Sequence, residues 1–367
     1  MSLAESRSPS QSPAAELDGG DRDCGSGLLL SLTSAMRGIG QGQVLLLHTR
    51  EPSVLADLPA WARLAGHQLV DVSEAGQGAG SWRLSIRRGE AAPPSAADTG
   101  GFTQGEAPAL GTRLWLYSNF HCNLGCSYCC AGSSPRAPAR LMPVELAVSA
   151  AREFVAQGGE ELLVTGGEPF LHPSLGALLG ETSALVPVTL LTNAMIFSRG
   201  ARRETLESLD RDAVTLQVSL DSAGPELHER QRGAGSHAKA LAGIQLARRL
   251  GFRVRVAATL FPEDVGDAAQ LHAALDELGI AADDRLIRPV AEEGFAENGV
   301  HISLETVEPE PTLAVDGAWW HPVGVTNDAL KVADSPLPLS ETLEVMRDVV
   351  AVQAAGERQG RSVFRCT

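Results

Sequence analysis

No run of about 18 or more apolar residues occurs in the sequence, and no basic stretch followed by an apolar one opens it. Neither a membrane span nor a secretory leader is therefore expected, and the chain reads as cytoplasmic, with no membrane partner. An excess of positive charge is missing too. Lys and Arg number 30 against 45 Asp and Glu, a formal net charge of −15, which argues against a broad phosphate-binding surface and against nucleic acid as a partner. Cysteine is scarce: six in 367 residues, half of them within eight positions. That spacing excludes a disulfide framework and suits a reducing compartment. A chain of this length is expected to hold more than one core, and 44% hydrophobic residues suffice to pack them.

Composition divides the chain. Residues 1–16 are rich in Ser, Pro and Ala and read as a disordered leader. A compact segment covers 17–88, and 89–110 returns to Ala, Pro, Gly, Ser and Thr as a linker. From 111 to 291 strand-like runs at 113–118, 161–165, 186–191, 213–220, 253–260 and 285–290 alternate with amphipathic helical stretches. The recurrence of Leu146, Ala150 and Phe154, and of Leu271, Ala274, Leu275 and Leu278, gives one apolar helix face each. Six strand and helix units predict an α/β fold, a partial (β/α)6 barrel, with its chemistry at the carboxyl ends of the strands. Residues 292–367 form a less regular C-terminal extension containing Trp319-Trp320-His321-Pro322 and a helix around Leu343, Met346 and Val350.

Just after the first of these strands, Cys122, Cys126 and Cys129 stand in the order Cys-x3-Cys-x2-Cys, with Tyr128 before the third. Three thiolates read as ligands of one iron-sulfur cluster with one iron left open. A zinc site completed by His121 and Cys130 is the other reading of the same loop. The second strand runs into Thr165-Gly166-Gly167-Glu168-Pro169, the third into Thr192-Asn193 and the fourth into Ser219-Leu220-Asp221. Glycines permit close backbone approach, and Asn, Ser and Asp pair with hydroxyls and carboxylates, although such residues also serve as turns and helix caps.

Together the cysteine loop and the glycine motif resemble the radical S-adenosylmethionine (SAM) enzymes. The resemblance implies a single [4Fe-4S] cluster on Cys122, Cys126 and Cys129. It also implies SAM held by Tyr128, Gly166, Gly167, Glu168, Asn193, Ser219 and Asp221. SAM would be cleaved to a 5′-deoxyadenosyl radical that abstracts hydrogen from a small-molecule or peptide substrate. A reductant protein such as flavodoxin or ferredoxin would supply electrons. Cys24, Cys130 and Cys366 are scattered, so no second four-cysteine cluster is expected.

The segment 17–88 has its own resemblance. Leu17-Asp18 stands six positions before Cys24, an apolar run continues through Met36, and Gly42 to Leu47, Ala56 to Ala62, Gly66-His67 and Trp82 to Ile86 follow. This pattern is similar to the TusA (SirA-like) sulfur carriers, two-layer α/β sandwiches. The resemblance implies Cys24 as a persulfide carrier at a helix N-terminus, which favours a thiolate, and a sulfur donor protein as partner. The family has Cys-Pro-x-Pro where this chain has Cys24-Gly25-Ser26-Gly27, which leaves a docking module as the alternative. A sulfur-trafficking scaffold that binds metal without turnover is the reading from another class.

Overall fold

A computed structural model describes residues 12–75, 80–89 and 110–363. The leader through residue 11, residues 90–109 of the linker and Cys366 lie outside the described residues. The rest falls into two compact units, one holding 12–89 with the chain from Val345 onward, the other Leu110–Glu344.

The first unit runs β1 (Ala15–Gly20), α1 (Leu29–Gly38), β2 (Val44–Thr49), α2 (Val54–Leu64), β3 (Gln68–Glu74) and β4 (Trp82–Arg87). Its sheet has the order β1-β2-β4-β3, with β1 parallel to β2 and β4 antiparallel to both neighbours. Alternation puts Leu45 and Leu47 of β2 and Leu84 and Ile86 of β4 on one face. They pack there with Leu32 and Met36 of α1 and Leu58 and Trp61 of α2. Both helices thus cover one side of the sheet, giving two layers. Because β1 begins at Ala15, it takes in the last two residues assigned to the disordered leader. Cys24 is half-buried and opens a π-type turn, Cys24–Leu28, that leads into α1.

The second unit is built from β5 (Arg113–Tyr117), α3 (Val144–Ala156), β6 (Glu161–Thr165), α4 (Leu175–Ser183), β7 (Val188–Thr192), α5 (Ala201–Ser208), β8 (Val214–Ser219), α6 (Pro225–Arg232), α7 (Ser236–Arg249), β9 (Val254–Leu260), α8 (Ala268–Glu277) and β10 (Arg285–Pro289). Three short strands follow, β11 (Thr312–Ala314), β12 (Gly317–Trp319) and β13 (Lys331–Ala333), before α9 (Leu339–Val363). Strands β5 to β10 are parallel neighbours in chain order. The extension adds to the opposite edge, with β11 parallel to β5 and β12 and β13 antiparallel beyond it. The extension is therefore not a separate appendage: through 344 it belongs to this unit, and 345–363 belongs to the first.

Strand alternation decides where the site lies. Leu114, Leu116, Leu162, Val164, Val188, Leu190, Leu216, Val218, Val254 and Val256 face the helices and form the main core with residues such as Phe154, Leu178, Ile244 and Leu271. Residues of opposite parity, Trp115, Tyr117, Thr165, Leu191, Ser219, Thr259 and Arg288, turn inward and line a cavity. Gly233, at φ 101°, ends α6 in a backbone region that favours glycine and lets the chain turn into α7.

Candidate functional site

The cavity, about 1050 Å³ counting its open mouth, sits at the carboxyl ends of β5 to β10. Its wall carries Cys122, Cys126 and Cys129 together with Tyr128, Gly166, Gly167, Asn193 and Ser219. Glu168 and Asp221 are not on that wall.

Local hydrogen bonds shape the cysteine loop. The Cys122 N–H donates to Ser134 O (3.2 Å), the Cys129 N–H to Cys126 O (3.2 Å) and the Ser127 N–H to Gln231 O (3.0 Å). Sulfur acceptors are themselves met by amides: the Leu124 N–H reaches Cys122 Sγ and the Ser133 N–H reaches Cys129 Sγ, each at 3.4 Å, and Asn193 Nδ2 stands 4.0 Å from Cys122 Sγ. Such donors favour a thiolate. Without a metal, Cys122 and Cys126 hold their protons. Burial pushes Cys122 up to about 12 and raises Cys126 against the opposing pull of Arg232; a bound metal would take these protons off.

Two loops are locked together behind the cysteines. Buried Asn119 donates from Nδ2 to Glu168 O (3.0 Å) and His121 O (3.2 Å), and the Gly167 and Glu168 N–H groups donate to Asn119 O and His121 O, both at 3.0 Å. A Cβ on Gly167 would lie 2.3 Å from His121 O, and one on Gly166 2.4 Å from Asn119 O. The glycines thus allow close approach to the cysteine loop itself, in addition to leaving bare backbone on the cavity wall.

The two carboxylates brace the site from within. Glu168 is fully buried: Oε1 accepts from the Phe170 N–H (3.1 Å) and the Thr192 hydroxyl (2.8 Å), and Oε2 from the Asn193 N–H (2.8 Å). Burial lifts it to about 6, with these donors pulling the other way. Asp221, also fully buried, accepts from Tyr128 Oη (2.6 Å), from Arg232 Nε and Nη2 (2.6 and 3.1 Å) and from the Thr259 N–H (3.1 Å). Burial works to raise Asp221, but Arg232 beside it holds the carboxyl below the usual range. In sequence both carboxylates read as direct SAM contacts; in the structure their oxygens are engaged by the protein.

Arg232 escaped the sequence reading. It lines the cavity, lies 5.3 Å from the Tyr128 ring centroid and is raised, against burial, by Asp221. Nothing local in the sequence marks it, since its partner lies eleven residues away across the end of β8. Asn119 was missed for the same reason. The residues offered to complete a zinc site separate: Cys130 lines the cavity, whereas His121 Nδ1 contacts Ala137 O at 3.3 Å away from the cavity wall. Among the described residues no three His, Cys, Asp or Glu side chains converge as ligands of one metal ion. Three thiolates on three different irons of a cluster stand farther apart than ligands of one ion.

A parallel α/β barrel presenting three thiols and a bare glycine turn at its strand ends is a cofactor-binding enzyme scaffold. Residues 117–275 match the family model described as Radical SAM superfamily and constitute a radical SAM domain. The superfamily is one of enzymes, and its cofactors are a [4Fe-4S] cluster and S-adenosylmethionine. Among curated relatives, the antilisterial bacteriocin subtilosin biosynthesis protein AlbA of Bacillus subtilis is 31% identical over 165 residues, 44% of this chain and 36% of that protein. The AdoMet-dependent heme synthase of Methanosarcina barkeri is 29% identical over 164 residues, 44% and 46% of the two chains. A GTP 3′,8-cyclase of Peptoclostridium acidaminophilum is 33% identical over 135 residues, 35% and 40% of the two. The chain spans less than half the length of these relatives. Among solved structures, Streptococcus suis SuiB bound to S-adenosylmethionine overlays with a TM-score of 0.43 at 19% identity, covering 50% of this chain and 42% of that one. No described helix is long and apolar enough to cross a membrane.

Proposed function

We propose that residues 110–344 act as a radical SAM catalyst, with Cys122, Cys126 and Cys129 holding the cluster and the adjoining cavity taking S-adenosylmethionine and substrate. The observation that carries this reading is the meeting of three thiols, the Gly166–Gly167 backbone, Asn193 and Ser219 on one cavity wall. When bound, the cofactor pair supplies a 5′-deoxyadenosyl radical that takes hydrogen from an unactivated carbon. The chain's own residues do the positioning. Backbone carbonyls at the glycine turn accept from an ammonium group, Asn193 and Ser219 donate to hydroxyl or carboxylate oxygens, and Tyr128 offers a flat apolar face. Glu168 and Asp221 are positioning residues here: the first fixes Thr192 and Asn193, the second fixes Tyr128 and Arg232. Trp115, Leu124, Ala131 and Val323 supply the apolar wall that keeps water from the reacting carbon.

The substrate is a small molecule or a peptide admitted to this cavity, and the single electrons come from a reductant protein such as flavodoxin or ferredoxin. For residues 17–88 we infer a sulfur-carrier-like module with Cys24 as persulfide carrier, charged by a sulfur donor protein. The two-layer arrangement and the position of Cys24 at the start of the segment leading into α1 support it. Reductive cleavage of SAM by reconstituted protein, dependent on each of the three loop cysteines, tests the catalytic reading.

A further inference from the structure

The cavity has two cationic side chains of different standing. Arg232 is held by both oxygens of Asp221. Arg288, on the inward face of β10, stands in register with Thr259 of β9, and both line the cavity. Its hydrogen bond is a long one, from Nε to Thr259 Oγ1 at 3.4 Å, and among the described residues no carboxylate forms an ion pair with it. Two acids of the neighbouring segments are engaged elsewhere: Glu310 by Arg113 and by Trp115 Nε1 (2.5 Å), and Glu293 by Asn327 Nδ2 (2.7 Å). The same cavity wall includes Trp115, Tyr117, Cys130, Pro322 and Val323. The buried Ser133 hydroxyl, on the same cavity wall, has no hydrogen-bond partner among the described residues. A half-buried guanidinium among rings and apolar groups loses hydration that Thr259 does not replace. Arg offers a planar fork of donors that matches carboxylate or phosphate.

We propose that Arg288 anchors an oxyanion, carboxylate or phosphate, of the substrate, and that the enzyme therefore acts on anionic molecules. This deepens the radical SAM reading and rests on it for the word substrate. Cofactor sits with the thiols, the glycine turn and Arg232; Arg288 is left to select what reacts.

The test is calorimetric titration of the reconstituted, SAM-loaded protein with glutarate, with inorganic phosphate and with uncharged glutaramide, alongside Arg288→Gln and SAM binding by equilibrium dialysis. One of the two anions should bind saturably and glutaramide should not, and the answering arm tells carboxylate from phosphate. In Arg288→Gln that affinity should fall at least tenfold while SAM affinity stays within twofold. The wild-type chain gives a second readout: the binding anion should slow phenylglyoxal labelling of Arg288. Absence of binding by both anions, equal binding by the variant, loss of SAM affinity instead, or no protection of Arg288 would each overturn the assignment. A wild-type protein that binds the anion at Arg288 yet cleaves no SAM would leave this site standing and sink the proposed reaction.

Discussion

At the scale of single residues, Gly167 carries more than its lack of a side chain suggests. Its Cβ position is taken by backbone atoms of His121 and Phe120, which cannot swing aside as a flexible side chain would. Gly167→Ala should therefore destabilise the fold by about 1–3 kcal/mol and push the cysteine loop out of place. Chemical denaturation reads the first effect and iron content after reconstitution the second; a variant that matches wild type in both would show that the contact yields. The cysteines, glycines, Asn193 and Ser219 were legible as residues of one cavity wall because each stands in a compact string at a strand end. Arg232 and Arg288 were not, since an Arg in an exposed helix turn and one in a buried cavity look alike until the strand or helix beside it is placed. Glu168 and Asp221 were legible as site residues but not in their direction: a sequence names the carboxylate, and only packing tells whether its oxygens face the cavity or the protein.

Among elements, the α6 to α7 hairpin holds pH-sensitive packing. His228 of α6 is 1% exposed, its Nδ1 accepts from the Asp221 N–H at 3.1 Å, and the His237 ring of α7 meets it edge-on at 5.5 Å. Burial, with Arg232 adding to it, holds His228 down to about 4 from an ordinary 6.5, while Asp221 pulls the other way. A depressed histidine contributes stability that is fully present above pH 6.5 and is lost as pH falls toward 4, because the unfolded chain takes up the proton first. Wild type should lose stability relative to His228→Gln over that window, by on the order of 3 kcal/mol at most. Urea unfolding of both proteins at pH 7 and pH 4.5 measures it; parallel losses would place the titration elsewhere. The long elements were readable for a plain reason. A run such as Glu161–Thr165 is bounded by polar and glycine residues and matches its strand end for end. The third run began at Val186, but Pro187 has no N–H for the ladder, and β7 starts after it. Strands β11, β12 and β13, at three residues each, are too short to show any period.

For the molecule as a whole, the proposed function joins a sulfur carrier and a radical SAM catalyst in one chain for a chemical reason. If Cys24 delivers sulfur, Cys24→Ser should abolish sulfur in the product while leaving deoxyadenosine formation within about twofold of wild type, read by mass spectrometry of the two products. Unchanged product would reduce the first unit to docking. The composition changes over residues 89–110, whereas nothing in the sequence marks the division of the C-terminal segment at 344, because the pairing of β11 with the edge of β5 joins residues far apart in the chain.

The proposed function requires that the cysteine loop and its cavity cleave S-adenosylmethionine. Protein reconstituted anaerobically with iron and sulfide, given a strong reductant and SAM, should form 5′-deoxyadenosine and methionine in equal amounts. Cys126→Ala should form neither above background. A wild-type protein with its full complement of iron and sulfide that forms no deoxyadenosine, even with candidate anionic substrates present, would contradict the account.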